Sequence, residues 1–354
     1  RYYDIRYHVD ESKSMEDWEK AITETFAESV KVHQIADVEV GCFLSSGVDS
    51  SFVVNEVAKG TPRVKSFSVG YEEEKYSELP YAQAFSKEIG VPSIANKVSA
   101  DEFFEANKTI QWYLDEPMPN PSEVPLYFLT KNAARYVKVV LSGEGADELF
   151  GGYPLYCAAH HFEEYEHKTP RFVRKAAGAV AGVLPDFKGR NFLMRGAKEP
   201  WQRCMRANYV FATPAERDKY LKKQYHKKTP EEFFKPYFDA SAGLDEPTQL
   251  QWVDIHTWML YDILLKADRM SMANSLELRV PFLDREMLEL ALSIPAQYRS
   301  SKTETKIALR RAALKQLPES VAKRKKLGFP VPLNDWLRQD KYYAMVREKF
   351  EGEV

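Results

Sequence analysis

Cysteine is scarce in this chain. Cys42, Cys157 and Cys204 are the only three in 354 residues, far apart and without a Cys-x-x-Cys pair. That excludes a disulfide framework and a zinc knuckle, and makes a reducing cytoplasmic compartment the simplest home. An excess of charge of either sign is also lacking. Fifty Lys and Arg stand against 52 Asp and Glu, a formal net charge of −2, so no overall field would hold nucleic acid or an anionic membrane. Any site for a polyanion must therefore be local. Long apolar runs are missing: nothing approaches the roughly 18 residues of a spanning helix, and the first 30 residues lack a signal-peptide pattern. Internal repeats and low-complexity tracts are absent as well. What remains is 44% hydrophobic and 29% charged, a soluble globular composition with room for one large or two modest domains. The chain opens at Arg1 in a stretch dense with charge and tyrosine, and is read as the tail portion of a longer polypeptide.

Trp18, Ile22, Phe26 and Val30 recur every fourth residue, which predicts an amphipathic helix from Ser14 onward. The short apolar run Val38 to Leu44 is a strand stopped by Ser45-Ser46-Gly47, and a helix follows over 49–59. The alternation continues with strand 64–69, helix 78–89, strand 94–98, helix 101–113, helix 124–135 and strand 137–141. Such a pattern implies an α/β fold with a parallel, doubly wound sheet whose ligands sit beyond the carboxyl ends of the strands. After Tyr153 the strand signals stop, and the carboxyl-terminal half reads as mostly helical. Residues 171–228 are basic, helical and broken by Pro185, Pro200 and Pro214, whereas 247–292 is apolar at helical spacing and reads as core.

The first strand runs into Ser45-Ser46-Gly47-Val48-Asp49-Ser50-Ser51 directly before a helix. Small residues there let backbone N–H groups and the helix amino terminus converge on an anion. Asp49 suits a phosphate only through a divalent cation, and Mg²⁺ takes one or two carboxylates plus phosphate oxygens. The bland alternative is a turn and an N-cap with Asp49 on the helix dipole. These residues resemble the pyrophosphate-binding loop of PP-loop ATP pyrophosphatases, Ser-Gly-Gly-x-Asp-Ser, with Ser46 in place of the second residue. It is no Walker A loop, since no Gly-Lys-Ser/Thr follows.

A second constellation, Ser142-Gly143-Glu144-Gly145-Ala146-Asp147-Glu148-Leu149-Phe150-Gly151-Gly152-Tyr153, ends the strand at 141. Several carboxylates crowded at one strand end repel unless a cation is present, although acids opening a helix are also common caps. This run resembles the signature of the asparagine synthetase family. The block from Leu264 to Asp284, Lys306-Ile307-Ala308-Leu309-Arg310, and Arg324 to Pro332 are similar to further family blocks in the same order. The resemblance runs from the first helix to Trp336.

It implies a synthetase domain of the adenine-nucleotide hydrolase-like (HUP) type over 15–354: an ATP-binding α/β part at 15–160, a helical excursion at 161–246 and a helical part at 247–354. Residues 1–14 would be a linker from a glutaminase domain absent from this chain. Residue by residue, it implies that Leu44, Ser45, Gly47, Asp49 and Ser50 cradle ATP, that Val69 contacts the base, and that Ser142 and Gly143 hold the ribose and phosphate region. Asp49 and Asp147 match Mg²⁺ ligands, Glu144 the carboxylate tied to the adenylate, and Lys306 the lysine at the α phosphate. The expected reaction joins aspartate, ATP and ammonia into asparagine, AMP and pyrophosphate, with ammonia drawn from glutamine by the missing domain. This chain alone is then expected to use free ammonia and not to hydrolyse glutamine. A homodimer is allowed; no oligomeric state is fixed.

The same two loops would also serve a β-lactam synthetase or a peptide cyclase, which close an amide within one molecule. A PP-loop thiolase needs a cysteine pair and a basic docking face, and the cysteine spacing and the net charge of −2 speak against it. A degenerate scaffold would have lost Asp49, Glu144, Asp147 or Lys306. Elsewhere, Asp115-Glu116-Pro117 and Asn120-Pro121-Ser122 are similar to a family segment near the substrate, with Asn120 where an acid is more usual. Asp268, Arg269, Glu277 and Arg279 are expected as buried, mutually satisfied pairs. His160, His161 and His167 lack metalloprotease spacing and read as a solvated face. Lys323 to Lys326 belong to the family block, and Cys42 is a core hydrophobe. A lone lysine such as Lys306 is usually solvated, and only the resemblance raises it.

Overall fold

The computed structural model describes residues 3–118, 120–203, 219, 230–324, 328 and 330–351. Cys204, Pro214, Lys325, Lys326 and Phe329 lie outside the described residues. The chain divides into two compact units of interleaved segments: Arg1–Glu19, Gly145–Tyr261 and Leu288–Leu309 form one, and Lys20–Glu144, Asp262–Met287 and Arg310–Val354 the other. Among the described residues no helix is long and apolar enough to cross a membrane.

The second unit carries the sheet. Five parallel strands, β1 (Val40–Phe43), β2 (Ser66–Tyr71), β3 (Ser93–Val98), β4 (Val139–Leu141) and β5 (Glu277–Arg279), lie in the order β3-β2-β1-β4-β5. β2 and β4 are buried at every residue and β1 at three of four, while the edge strands β3 and β5 are mostly half-buried or exposed. Central parallel strands are covered on both faces, which is why they read as continuous apolar runs. The chain winds from β1 through β2 to β3, then returns across the sheet to β4 and β5. Winding therefore reverses between β1 and β4, and a crevice opens beyond their carboxyl ends.

The helices are α1 (Met15–His33), α2 (Val48–Gly60), α3 (Leu79–Glu88), α4 (Ala100–Leu114) and α5 (Glu123–Ala133). Trp18, Ile22, Phe26 and Val30 are all fully buried, as the fourfold spacing of α1 predicts. Phe26 stacks on Phe52 of α2 and on Phe282, at ring distances of 4.6 and 4.4 Å. α4 begins with a capping box in which Ser99 and Glu102 exchange side chain and backbone bonds. Loss of that cap costs about 1 kcal/mol, so Ser99→Ala should lower the chemical denaturation midpoint without changing the slope. Near the carboxyl terminus, Trp336 packs on Tyr71 and Phe103 and donates its indole N–H to Glu73 at 2.6 Å.

β5 corrects the expectation that strands end before Tyr153. Three residues are too few to show a period, and they become a strand because β4 offers an edge: Val139, Val140 and Leu141 pair with Glu277, Leu278 and Arg279.

The first unit is helical, built on α6 (Ala146–Phe150), α7 (Pro154–Lys168) and the helices Pro230–Ala240 and Glu246–His256. Tyr156, Ala159, Phe238, Leu250 and Val253 form its core. Arg203 is buried against Glu246 and also donates to Glu166 at 2.6 Å, a burial that such a cation tolerates only when paired.

Candidate active site

The turn after β1 is tied to itself and to β2. Leu44 N–H donates to Phe67 O at 2.9 Å, and Ser68 Oγ donates to Leu44 O at 2.6 Å. Ser50 Oγ accepts from the Ser45 N–H at 3.0 Å and lies 2.9 Å from Ser45 Oγ, which itself accepts from Gly47 N–H at 3.1 Å. The turn thus delivers the chain into α2 with Asp49 and Ser50 on its first turn, where N–H groups lack intrahelical acceptors. Ser46 fits where a PP-loop has glycine because its hydroxyl turns away to donate to buried Glu78 at 2.8 Å. Val69 stands two residues past Phe67, the partner of the last β1 residue, and so lies level with Ser45, while β2 itself runs on to Tyr71 and does not end at Val69 as the apolar run suggested.

The tip of β4 meets this turn. Ser142 N–H donates to Arg279 O at 2.9 Å, which carries the ladder one residue past Leu141. At Gly143 a Cβ atom would lie 2.9 Å from Ser50 N and 3.0 Å from Asp49 Cβ. Only glycine lets the two backbones approach this closely. The structure therefore brings Leu44, Ser45, Gly47, Asp49, Ser50, Ser142 and Gly143 together, with Val69 on the neighbouring strand β2 and half-buried Glu144 next in the chain.

Asp147 and Lys306 belong to the helical unit and are brought together there. Lys306 is 2% exposed, and its Nζ sits 2.7 Å from Asp147 Oδ1. It is no surface lysine, contrary to the usual expectation for its type. Its backbone is left-handed, with φ of 54°, a conformation costing a non-glycine residue about 1 kcal/mol or more. Its N–H donates to Gly151 O at 3.3 Å. Gly152 passes so close that a Cβ there would overlap Asp147 Oδ1 and Lys306 Cε. Beside them, burial and then the charge of Asp147 push Glu148 up to about 7, while Tyr153 donates to it at 2.6 Å.

The asparagine synthase family profile matches residues 21–353. The chain belongs to the asparagine synthase family. It is 41% identical over 323 residues to the glutamine-hydrolyzing asparagine synthetase 1 of Bacillus subtilis, covering 91% of this chain and 51% of that protein. A putative glutamine-hydrolyzing asparagine synthetase of Mycobacterium tuberculosis is 43% identical over 318 residues, covering 90% of this chain and 48% of that protein. The chain thus spans about half the length of the curated relatives it matches.

In this asparagine synthase family chain, no group of three or more His, Cys, Asp or Glu that could hold a metal occurs among the described residues. His160 instead lies 3.0 Å from Ser300 Oγ. The charged residues expected as buried pairs are corrected. Asp268 and Glu277 are exposed, Arg269 meets exposed Asp115 at 2.9 Å, and Arg279 closes α1 by donating to His33 O and Ile35 O. A short helix and an edge strand hold these positions near the surface, where water solvates the pairs.

The buried polar group of that block is one that sequence reasoning missed. Asn120 Nδ2 donates to both oxygens of Asp262, at 3.0 and 2.9 Å, and Lys266 Nζ donates to Ser122 Oγ at 3.0 Å. Glu123 opens α5 beside them. Burial pushes its carboxyl up to about 7, against the pull of its own backbone N–H and of Lys266. The native state therefore holds this proton more tightly than the unfolded chain, whose carboxyl keeps the ordinary value of 4.5. Stability contributed by Glu123 is present below that value and is lost as pH rises toward 7. Urea unfolding at pH 5 and pH 8 should show Glu123→Gln gaining on the wild type at the higher pH.

Proposed function

We infer that this chain catalyses the ATP-dependent amidation of L-aspartate to L-asparagine through a β-aspartyl adenylate, releasing AMP and pyrophosphate. Ammonia is the nucleophile, supplied in the complete enzyme by glutamine hydrolysis elsewhere. The observation that carries this reading is the meeting of the β1 and β4 tips at Gly143, which sets an anion-attracting helix terminus and the Ser45 and Ser50 hydroxyls beside Ser142. Such a cradle suits a polyphosphate.

The donor set fits Mg²⁺. One or two carboxylates with phosphate oxygens complete its shell; Asp49, on the first turn of α2, would supply one, and Asp147, as the family resemblance implies, the second. When bound, the ion supplies charge neutralisation on the phosphates. Leu44, Ser45, Gly47, Asp49 and Ser50 bind the nucleotide phosphates, Val69 borders the base, and Ser142 and Gly143 hold the ribose and α phosphate region. In the first step a β-carboxylate oxygen of aspartate bonds to the α phosphorus, and the bond to the leaving pyrophosphate breaks. Two anions approach there, and the Lys306 ammonium offsets their repulsion. In the second step ammonia attacks the acyl carbon, AMP leaves, and Glu144 accepts the proton lost by nitrogen.

The test is product analysis with ATP, Mg²⁺, ammonium and L-aspartate. Asparagine and AMP should accumulate in equal amounts. ADP as the nucleotide product would refute this reading.

A further inference from the structure

α5 and the helix Leu265–Met272 run side by side in one direction. Lys266 Nζ meets Ser122 Oγ at their amino-terminal ends, and Thr130 Oγ1 donates to Met270 O toward their carboxyl-terminal ends. Each feeds a strand within a few residues: α5 leads to β4 at Val139, and the other helix to β5 at Glu277. Helices that feed the starts of parallel strands run back from the carboxyl side of the sheet. Both amino termini therefore lie on the side where Ser45 and Ser142 sit.

At this end the buried side chains leave valences of both signs. Glu123 is 3% exposed, and its Oε2 has no hydrogen-bond partner among the described residues. Lys266 is also buried. Among the described residues its ammonium gives one hydrogen bond, to Ser122, while Asp262 Oδ1 lies at 3.7 Å, beyond hydrogen-bond reach. An ammonium has three N–H groups to give. Asp262, clasped by Asn120, sits in a π-helical turn, Met259–Leu264, a deviation frequent at functional sites. A simple anion would meet Lys266 but also two carboxyl groups, and a simple cation the reverse. A zwitterion satisfies both.

We propose that this cluster recognises the α-amino-acid head of the substrate, with Lys266 holding the α-carboxylate and Glu123 and Asp262 the α-ammonium, so that the side-chain carboxylate is left for the nucleotide. The inference deepens the aspartate-activating reading and rests on it.

Calorimetric binding in the presence of a non-hydrolysable ATP analogue tests it without requiring turnover. L-Aspartate should bind the wild-type chain at least about tenfold more tightly than succinate, which lacks the amino group, or β-alanine, which lacks the α-carboxylate. Glu123→Gln should erase the preference over succinate, and Lys266→Met the preference over β-alanine. An unchanged affinity for the ATP analogue reports that each variant is folded. The Gln substitution preserves shape and decides the matter even where Lys266→Met fails to fold. Equal aspartate affinity in wild type and Glu123→Gln, or no aspartate binding to the wild type, overturns the proposal. AMP formation by the wild type, measured separately, shows whether the reaction itself stands.

Discussion

Lys306→Met should lower kcat/KM for asparagine formation by about 10³-fold, the scale associated with removing one preorganised charge donor from a transition state. The lysine has no alternative position. It is buried, held at 2.7 Å from Asp147, and fixed by a left-handed backbone. Arginine is no substitute, because a planar guanidinium is larger and differently shaped, so Lys306→Arg should be nearly as impaired. Lys306→Gly separates charge from strain: it relieves the left-handed backbone, worth about 1 kcal/mol, yet should be as inactive as the Met variant. Steady-state rates beside thermal denaturation distinguish the two contributions. Gly152→Ala should mimic the loss while keeping the ammonium, since its methyl group would wedge between Asp147 and Lys306.

Gly143→Ala should reduce kcat/KM for ATP by about 10²-fold, through displacement alone. The added methyl would lie 2.9 Å from Ser50 N, 3.0 Å from Asp49 Cβ and 3.1 Å from Asp49 C. Two of these three are backbone atoms on the first turn of α2, so no side chain can rotate away. The tips of β1 and β4 must part, and misplacing a bound reactant by about 1 Å can cost that factor. Overpacking should also lower stability by about 1–3 kcal/mol. ATP titrations at saturating aspartate and ammonia, with denaturation alongside, would measure both effects. Unchanged ATP kinetics would mean that the strand tips do not carry the nucleotide.

The parts of this molecule that sequence made legible are those written in contiguous residues. Trp18, Ile22, Phe26 and Val30 announce α1 because a helix repeats within four residues, and the turns at 45–51 and 142–153 announce themselves because anion loops are short and local. β5 carries no such signal. Glu277-Leu278-Arg279 is a strand only because β4 lies beside it. The Asn120–Asp262 clasp joins residues 142 apart in the chain, and no periodicity encodes that contact. The left-handed backbone of Lys306 was equally hidden, because strain of this kind is imposed by surroundings and not by residue type. Asp268 and Arg279 were misplaced for a related reason: alternating charges among apolar residues fit a buried network and a solvated edge equally well.

Oxygen-isotope transfer tests the adenylation chemistry most directly. L-Aspartate labelled with ¹⁸O in its side-chain carboxylate, incubated with the chain, ATP, Mg²⁺ and ammonium, should pass one labelled oxygen to AMP for each asparagine formed, leaving pyrophosphate unlabelled. Label in pyrophosphate or inorganic phosphate, or asparagine formed beside unlabelled AMP, would contradict attack at the α phosphorus.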